Sequence, residues 1–366
     1  MSFVSSRKCV YIVVSLLLLA GTINYMAFDR IELRDGFDRR VETRATPTVN
    51  LMLGGFRGVV ADWLWLRAMH LQEQGRFIEI IQLAEWITAL QPQFPDIWSL
   101  HAWNLAYNIT VLLPDGNERW HWIYHAYEIL RDQAIPATRY HPRVCAELSW
   151  ILMHKVGDTS DDFADTFFYQ WVQTFSPYLS EDGTISTDTT KQAAFRNKVG
   201  LPARKLDAFE GAYGPHDWRH PLTHAAAWAY VGFKQAPDQR ETRTAERFFL
   251  HTYRQLLVRG NIRTDTDRNQ LVLEPDLNRA LPATEIFEKA YQRGRQPEIH
   301  TAYLSLLERT IQLLAANDQT EEAEHLFSKL AESFPESISA VRGFDALTAL
   351  PFESEVRIIP IPQETP

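Results

Sequence analysis

Among the polar residues of the sequence, three histidines have a spacing that resembles a metal-binding site. His216, His220 and His224 are four residues apart in the stretch GPHDWRHPLTH, and an aspartate follows the first. On a single helix this spacing would align three imidazoles, which are common zinc ligands. Pro221 opposes that arrangement, because proline favours the first turn of a helix and would leave only His224 inside it. We therefore predict a capped helix start and keep the three histidines as weak metal candidates.

Two other patterns resemble parts of metal sites. His121 and His125 are also four residues apart, but aromatic residues surround them and no third ligand is near in sequence, so we interpret them as packing residues. The stretch DTDRN at 265–269 begins like a calcium loop, yet Gln270 stands where that loop needs glycine. We predict no metal and no small-molecule cofactor.

Other catalytic signatures are absent from the sequence. It contains no glycine-rich phosphate loop, no nucleophile elbow and no HExxH helix. We therefore predict a protein without enzymatic activity. The alternative is an envelope hydrolase or lyase that uses the histidines of the central segment.

The composition indicates a folded protein that does not bind nucleic acid. The chain has 366 residues, 45% of them hydrophobic, with 11 Trp and 20 Phe. Its net charge of -9 and its lack of Lys/Arg runs argue against contacts with a phosphate backbone. Cys9 and Cys145 are the two cysteines, so no disulfide framework is predicted.

The N-terminal segment is predicted to anchor the protein in a membrane. Residues Cys9 to Phe28 carry no charge over about the 20 residues that a spanning helix needs. We assign residues 1–28 to this anchor and residues 29–50 to a juxtamembrane linker. A cleaved signal peptide is the alternative, because small residues follow Val10 to Ala20.

The orientation in the membrane rests on two opposing signals. Arg7 and Lys8 before the span favour a cytoplasmic N-terminus, whereas five arginines between Arg30 and Arg44 favour the reverse. We prefer the first, because signal-anchors with a short basic N-terminus usually export the large domain that follows. This predicts a single-pass protein of a bacterial inner membrane with a periplasmic domain.

The stretch from Gly55 to Pro92 predicts a helical hairpin. Trp63, Leu66, Ala68, Met69 and Leu71 have helical spacing in the first helix, and Gly75 supplies a stop. A second apolar stripe, beginning at Phe77, ends at the proline. A very short connection makes the two helices antiparallel.

This hairpin resembles the tetratricopeptide repeat. The matching positions are Gly75, Phe77, Ile80, Ala84, Ile87 and Pro92, and Trp98 stands where the next repeat would begin. Near the C-terminus Ala323, Phe327, Leu330 and Pro335 match the spacing of the second repeat helix. Hairpins at intervals of roughly 34 to 42 residues are typical of a helical solenoid. An irregular all-α domain with chance matches is the alternative.

The expected architecture is all-α: an N-terminal transmembrane helix followed by a tetratricopeptide-like superhelix with a long central insertion. We assign residues 51–180 to helical hairpins, 181–221 to an irregular insertion with one short helical piece, 222–345 to further hairpins and 346–366 to a Pro-rich, extended tail. Trp218 and Arg219 are candidates for docking the insertion to the hairpins.

The aromatic excess suggests partner binding. Trp and Tyr are enriched at binding hot spots, and we select Trp65, Trp103 and Trp122 as candidate groove residues. Stretches such as RGVVADWLWLRA and DWRHP also resemble a group of membrane-anchored bacterial proteins. These features predict a scaffold that docks a protein or peptide at the envelope. The alternative is a structural subunit of a membrane transport or secretion complex.

Overall fold

The computed structural model describes residues 47–235, 240–294, 297–350 and 356–362, with side chains from Arg57 onward except that of Glu241. These residues are mostly helical, as expected from the sequence, with a few short strands. The predicted anchor at 1–28 and most of the linker lie outside the described residues. Within them, no helix is both long and apolar enough to cross a bilayer. The chain divides into two compact units, one ending at Asn104 and the other beginning at Leu105.

The first unit is built on a helical hairpin. Its helices are α1 (Pro47–Glu73), α2 (Phe77–Leu90) and α3 (Pro95–Trp103). Gly75 has a φ of +71°, and the N–H of Arg76 donates to the carbonyl of Leu71 at 3.0 Å. A left-handed residue at this point ends α1 and reverses the chain.

The inner stripe of α1 agrees only in part with the predicted one. The buried side chains are Ala61, Leu64, Ala68 and Leu71, which pack against α2. Of the five residues that the sequence spacing placed on the packing face, Ala68 and Leu71 are buried, whereas Trp63, Leu66 and Met69 are exposed. Two alanines in the buried stripe let α2 approach closely, and this is possible only if the larger side chains point away.

Two polar contacts hold α3 in place. Trp98 is buried and its Nε1 donates to the carbonyl of Pro92 at 2.8 Å. The Nδ2 of Asn104 donates to the carbonyl of Phe77 at 2.9 Å, at the start of α2. The first residue of α2 and the turn after α2 are therefore bonded to Asn104 and Trp98, respectively.

The second unit is larger and its helices vary in regularity. Its described α-helices of five residues or more are α4 (Gly116–Glu128), α5 (Pro142–Trp150), α6 (Ala164–Phe175), α7 (Thr189–Val199), α8 (Ala203–Tyr213), α9 (Pro221–Phe233), α10 (Arg243–Arg259), α11 (Ala280–Gly294), α12 (Pro297–Ala315), α13 (Thr320–Ser333), α14 (Ile338–Arg342) and α15 (Phe344–Thr348). The π-helical turns Asn104–Ile109, Ile129–Ala134 and Ile151–Val156 prolong α3, α4 and α5. Such turns are rare and occur often at functional sites.

Helix α9 forms the centre of the second unit. All of its side chains except Tyr230 are buried, and it packs against α5 and α10. Small residues make this possible: a Cβ added at Gly232 would lie 2.7 Å from the Cβ of Cys145 on α5. The helices therefore touch almost backbone to backbone at this point.

A small three-stranded antiparallel sheet accompanies the helices of the second unit. Its strands are β1 (Asn261–Asp265), β2 (Gln270–Glu274) and β3 (Arg357–Pro360), in that order. The C-terminal tail, predicted to be extended, supplies β3, in which Ile359 pairs with Leu271. Both side chains are buried in one cluster with Phe168 of α6. This apolar contact fixes the tail on the helical body.

The C-terminal hairpin of α12 and α13 repeats the turn geometry of α1 and α2. Asp318, with a φ of +61°, takes the place of glycine, and the N–H of Gln319 donates to the carbonyl of Leu314 at 3.0 Å. The caps at the far ends also match: φ and ψ are -132° and 67° at Gln91, and -135° and 58° at Phe334. Of the predicted signature residues here, Ala323 is buried, Phe327 half-buried and Pro335 exposed.

The central segment 181–221 contains more regular structure than expected. It holds two helices, α7 and α8, in place of one short helical piece. Asp188 caps α7 by accepting the N–H groups of Thr190 and Lys191. Gly200, with a φ of +74°, ends the same helix. These start and stop signals were present in the sequence, but neighbouring turn residues obscured them.

Candidate docking surface and buried histidine cluster

An apolar stripe runs along the outer side of α1. Val59, Trp63 and Leu66 are 56%, 57% and 66% exposed and follow a spacing of four and then three residues. Val60 and Met69 are exposed beside them. Residues at this spacing share one side of a helix. We call these five side chains the α1 face.

Exposed apolar residues are concentrated in the first unit. Nine of the 17 large hydrophobic side chains exposed in the described part of the chain lie between Val59 and Trp103. Besides the α1 face they are Ile78 and Trp86 on α2, Phe94 in the next turn, and Trp103 at the end of α3. Single exposed apolar residues are ordinary, but a concentration of this kind marks interaction surfaces.

The α1 face has charged residues at its edges. The guanidinium of Arg67 lies 5.7 Å from the ring centroid of Trp63, as in a cation–π pair. Asp62 and His70 are exposed on the same helix. An apolar patch with a polar rim is the usual anatomy of a protein interface.

The three tryptophans predicted to line a groove occupy different settings. Trp65 is half-buried and meets Phe94 edge to face at 6.1 Å. Trp103 is 39% exposed. Trp122, in the second unit, is half-buried, and its ring centroid lies 6.1 Å from that of His121 and 6.4 Å from that of His125.

The sequence-based choice of groove residues missed Trp63 and Trp86, whose side chains are more exposed than those of the three predicted tryptophans.

Each histidine of the central segment bonds to its own partners. His216 hydrogen-bonds Glu210 at 2.7 Å through Nδ1 and the hydroxyl of Tyr253 at 2.6 Å through Nε2. The other two imidazoles donate from Nε2 to backbone carbonyls, His220 to Arg259 at 3.0 Å and His224 to Trp218 at 2.8 Å. No group of three metal-ligating side chains occurs among the described residues.

Burial keeps these histidines neutral. Desolvation lowers the pKa of both His220 and His224 to about 3. It also lowers the pKa of His216, against the opposing influence of Glu210. A neutral imidazole donates from one nitrogen and accepts at the other, and His220 does both, because its Nδ1 accepts the N–H of Leu222 and caps α9.

The motif around these histidines joins the central segment to the rest of the second unit. Trp218 is fully buried, its Nε1 donates to Glu210 at 2.8 Å, and its ring meets those of Phe195 and Phe209. Arg219 pairs with Asp217 at 2.7 Å and donates to the carbonyl of Ile262 on β1 at 3.1 Å. These contacts tie α7 and α8 to the sheet and to α9.

A second polar cluster, which the sequence did not reveal, surrounds the π-helical turns. The hydroxyl of Tyr107 lies 3.3 Å from Nδ1 of His154, and Trp150 stacks on His154 with ring centroids 4.6 Å apart. Burial raises the pKa of nearby Glu147 to about 7, while Arg143 acts in the opposite direction. A carboxyl with this pKa exchanges protons near neutral pH. Its burial depends on tertiary packing, which no local spacing predicts.

Comparison of the sequence with protein-family models and with curated proteins finds no match.

Proposed function

We propose that this protein is a membrane-anchored docking scaffold of the bacterial envelope, whose first unit binds an apolar helix of a protein partner. The α1 face carries the proposal. Helix α1 already uses one apolar stripe, from Ala61 to Leu71, to pack against α2. A second apolar stripe on the same helix adds nothing to that packing, and a helix with apolar stripes on two sides is normally covered on both.

The shape and composition of the α1 face favour a helical partner. Val59, Trp63 and Leu66 form a straight stripe, which matches the apolar side of an amphipathic helix. Trp63 also provides the large rigid contact area that is typical of binding hot spots. Trp103 remains a candidate contact because it is exposed, whereas the half-buried rings of Trp65 and Trp122 offer less surface to a partner.

The two matching hairpins support a tetratricopeptide-like repeat architecture. The turns at Gly75 and Asp318 contain the same kind of backbone hydrogen bond, and each has one residue in the left-handed conformation. Equal local geometry at both ends of the described chain is expected if each hairpin is one unit of a repeat. We propose a solenoid of such hairpins, with the central helices and the sheet as insertions.

The proposed location follows from the N-terminal segment. A span at Cys9 to Phe28 would hold α1 close to the bilayer through a short linker and raise its local concentration near membrane-bound partners. An exported orientation would place both units in the periplasm. A partner helix lying near the membrane surface is the occupant that fits both the anchor and the α1 face.

The test compares two pairs of apolar substitutions in the full-length protein. One variant carries Trp63→Ser and Leu66→Ser in the α1 face. The matched control carries Ile338→Ser and Val341→Ser on α14, where the native side chains are 71% and 75% exposed. Both variants should keep the helicity and unfolding midpoint of the parent, because exposed side chains contribute little to folding.

Crosslinking in cells followed by purification in mild detergent then gives the result. We expect a discrete partner that is captured by the parent and the α14 control and is lost from the α1-face variant. Equal capture by all three proteins would contradict the proposal. Replacing the span with an unrelated one separates the structural-subunit alternative, since a partner bound through the span would be lost while a partner bound through the α1 face would remain.

A further inference from the structure

A basic pocket lies between α8 and α9. It has a volume of about 400 Å³ and is lined by Arg204, Lys205, Ala208, Tyr230, Val231 and Lys234. Three of these six residues are cationic, in a chain whose net charge is -9. A cleft lined by one sign of charge attracts ions of the opposite sign.

Carboxylates do not neutralise this charge within the described part of the chain. No ion pair there involves any of the three cations. The acids of α8 have other partners: Asp207 pairs with Arg196 at 2.9 Å, and Glu210 bonds His216 and Trp218.

The two lysines of the pocket lie over aromatic rings. Lys205 is 4.6 Å from the ring centroid of Tyr140, and Lys234 is 5.5 Å from that of Tyr230. A ring face attracts a cation without cancelling its charge, so the pocket remains positive.

The position of two of the cations is unfavourable without a ligand. Arg204 and Lys205 stand in the first turn of α8, which contains no acidic residue, and Pro202 before it provides no side-chain cap. The preceding helix α7 shows the ordinary arrangement, with Asp188 accepting its first N–H groups. The N-terminus of a helix carries a partial positive charge, which repels positive side chains placed there. An anion in the pocket would offset that repulsion.

We propose that the pocket binds a phosphate group. The planar guanidinium of Arg204 can hold two phosphate oxygens, and two ammonium groups supply further donors and balance a doubly charged ligand. The volume is within the range of small-molecule sites, and Tyr230 offers an aromatic surface to the rest of the ligand. The phosphate can belong to a soluble compound or to a lipid headgroup. This proposal does not depend on the α1 face.

The test is isothermal titration of the purified full-length protein in non-ionic detergent. One arm uses inorganic phosphate, and the other uses the soluble short-chain lipid dihexanoyl-phosphatidylglycerol, each against sodium chloride of equal ionic strength. Saturable binding of either probe is expected. Tighter binding of the lipid identifies a headgroup site, and tighter binding of inorganic phosphate identifies a site for a soluble compound.

Two variants with the same charge assign the binding to the pocket. Arg204→Gln, Lys205→Gln and Lys234→Gln together should weaken binding at least tenfold. The control carries Lys191→Gln, Arg247→Gln and Arg342→Gln, which remove three exposed cations elsewhere, and it should bind like the parent. Lys234→Gln alone, at an exposed position, should weaken binding several-fold and covers the case in which the triple variant unfolds. Absence of saturable binding, or equal loss in the control, would overturn the proposal.

Discussion

The indole of Trp98 donates a hydrogen bond of 2.8 Å to the carbonyl of Pro92, six residues earlier in the chain. Pro92 follows the end of α2 and Trp98 lies in the first half of α3, so the bond closes the connection between the two helices. The indole is also buried, and its bond satisfies the carbonyl of Pro92 in the turn between the two helices. Two residues predicted as repeat signatures are thus joined directly.

Replacing Trp98 with Phe should destabilise the protein by about 1–3 kcal/mol. The variant loses the hydrogen bond to Pro92, leaves its carbonyl without that donor and opens a small void. The measurement is urea unfolding followed by circular dichroism. Trp86→Phe, at a side chain that is 49% exposed, is the control and should unfold like the parent. Equal midpoints for the parent and Trp98→Phe would show that the bond contributes nothing.

Adding one methyl group to α9 should be costly. In Gly232→Ala the new Cβ would meet Cys145 at 2.7 Å, so α9 and α5 must separate, at a cost of roughly 1–3 kcal/mol. Gly211→Ala is the matched control, because no atom lies within 4 Å of a Cβ there. That change should stabilise α8 by about 0.5–1 kcal/mol through helix propensity. Thermal unfolding of both variants checks the prediction, which fails if the two shift in the same direction.

Mild acid should destabilise the second unit. The pKa of His220 and His224 falls from 6.5 to about 3 on folding, so the unfolded chain binds protons that the native protein does not. Stability is therefore fully present above about pH 6.5 and is lost as the pH falls toward 3, by about 1.4 kcal/mol per pH unit for each histidine.

Unfolding midpoints measured between pH 7 and pH 4 test this dependence. His224→Gln keeps a donor toward the carbonyl of Trp218 but cannot titrate, so its stability should fall less steeply with acid. His125→Gln, at an exposed position, should behave like the parent. Equal changes in midpoint from pH 7 to pH 5 for the parent and His224→Gln would contradict the prediction.

Glu147 should produce the opposite dependence. Its pKa rises from 4.5 to about 7 on folding, so the native protein holds a proton that the unfolded chain releases. This group therefore reduces stability as the pH rises from about 4.5 to 7. Glu147→Gln removes the effect, and its stability relative to the parent should increase over that range by up to roughly 3 kcal/mol. Denaturant unfolding at pH 5 and pH 8 measures the difference, and a constant difference would contradict the raised pKa.

The sequence predicted local features that depend on neighbouring residues. The stop at Gly75, the helix start at Pro221 and the extended tail each follow from backbone preferences that act within a few residues. The predicted span at Cys9 to Phe28 is of the same kind, although it lies outside the described residues. The sequence also indicated that Trp218 and Arg219 anchor the central segment, because a large aromatic and a charged residue beside a helix start suit that role.

Tertiary structure decided which apolar stripe of α1 is covered, because both stripes have helical spacing and only the fit of Ala61 and Ala68 against α2 separates them. Tertiary structure also decided what the central histidines bond. Their spacing of four residues is compatible with a shared metal, but their hydrogen-bond partners include residues from distant positions in the chain, such as Tyr253 and Arg259. Sequence alone determined individual helix boundaries, such as the end at Gly75 and the start at Pro221, since those signals are local. The burial of Glu147 and the gathering of three cations around one pocket required the complete fold, since they depend on residues far apart in the chain.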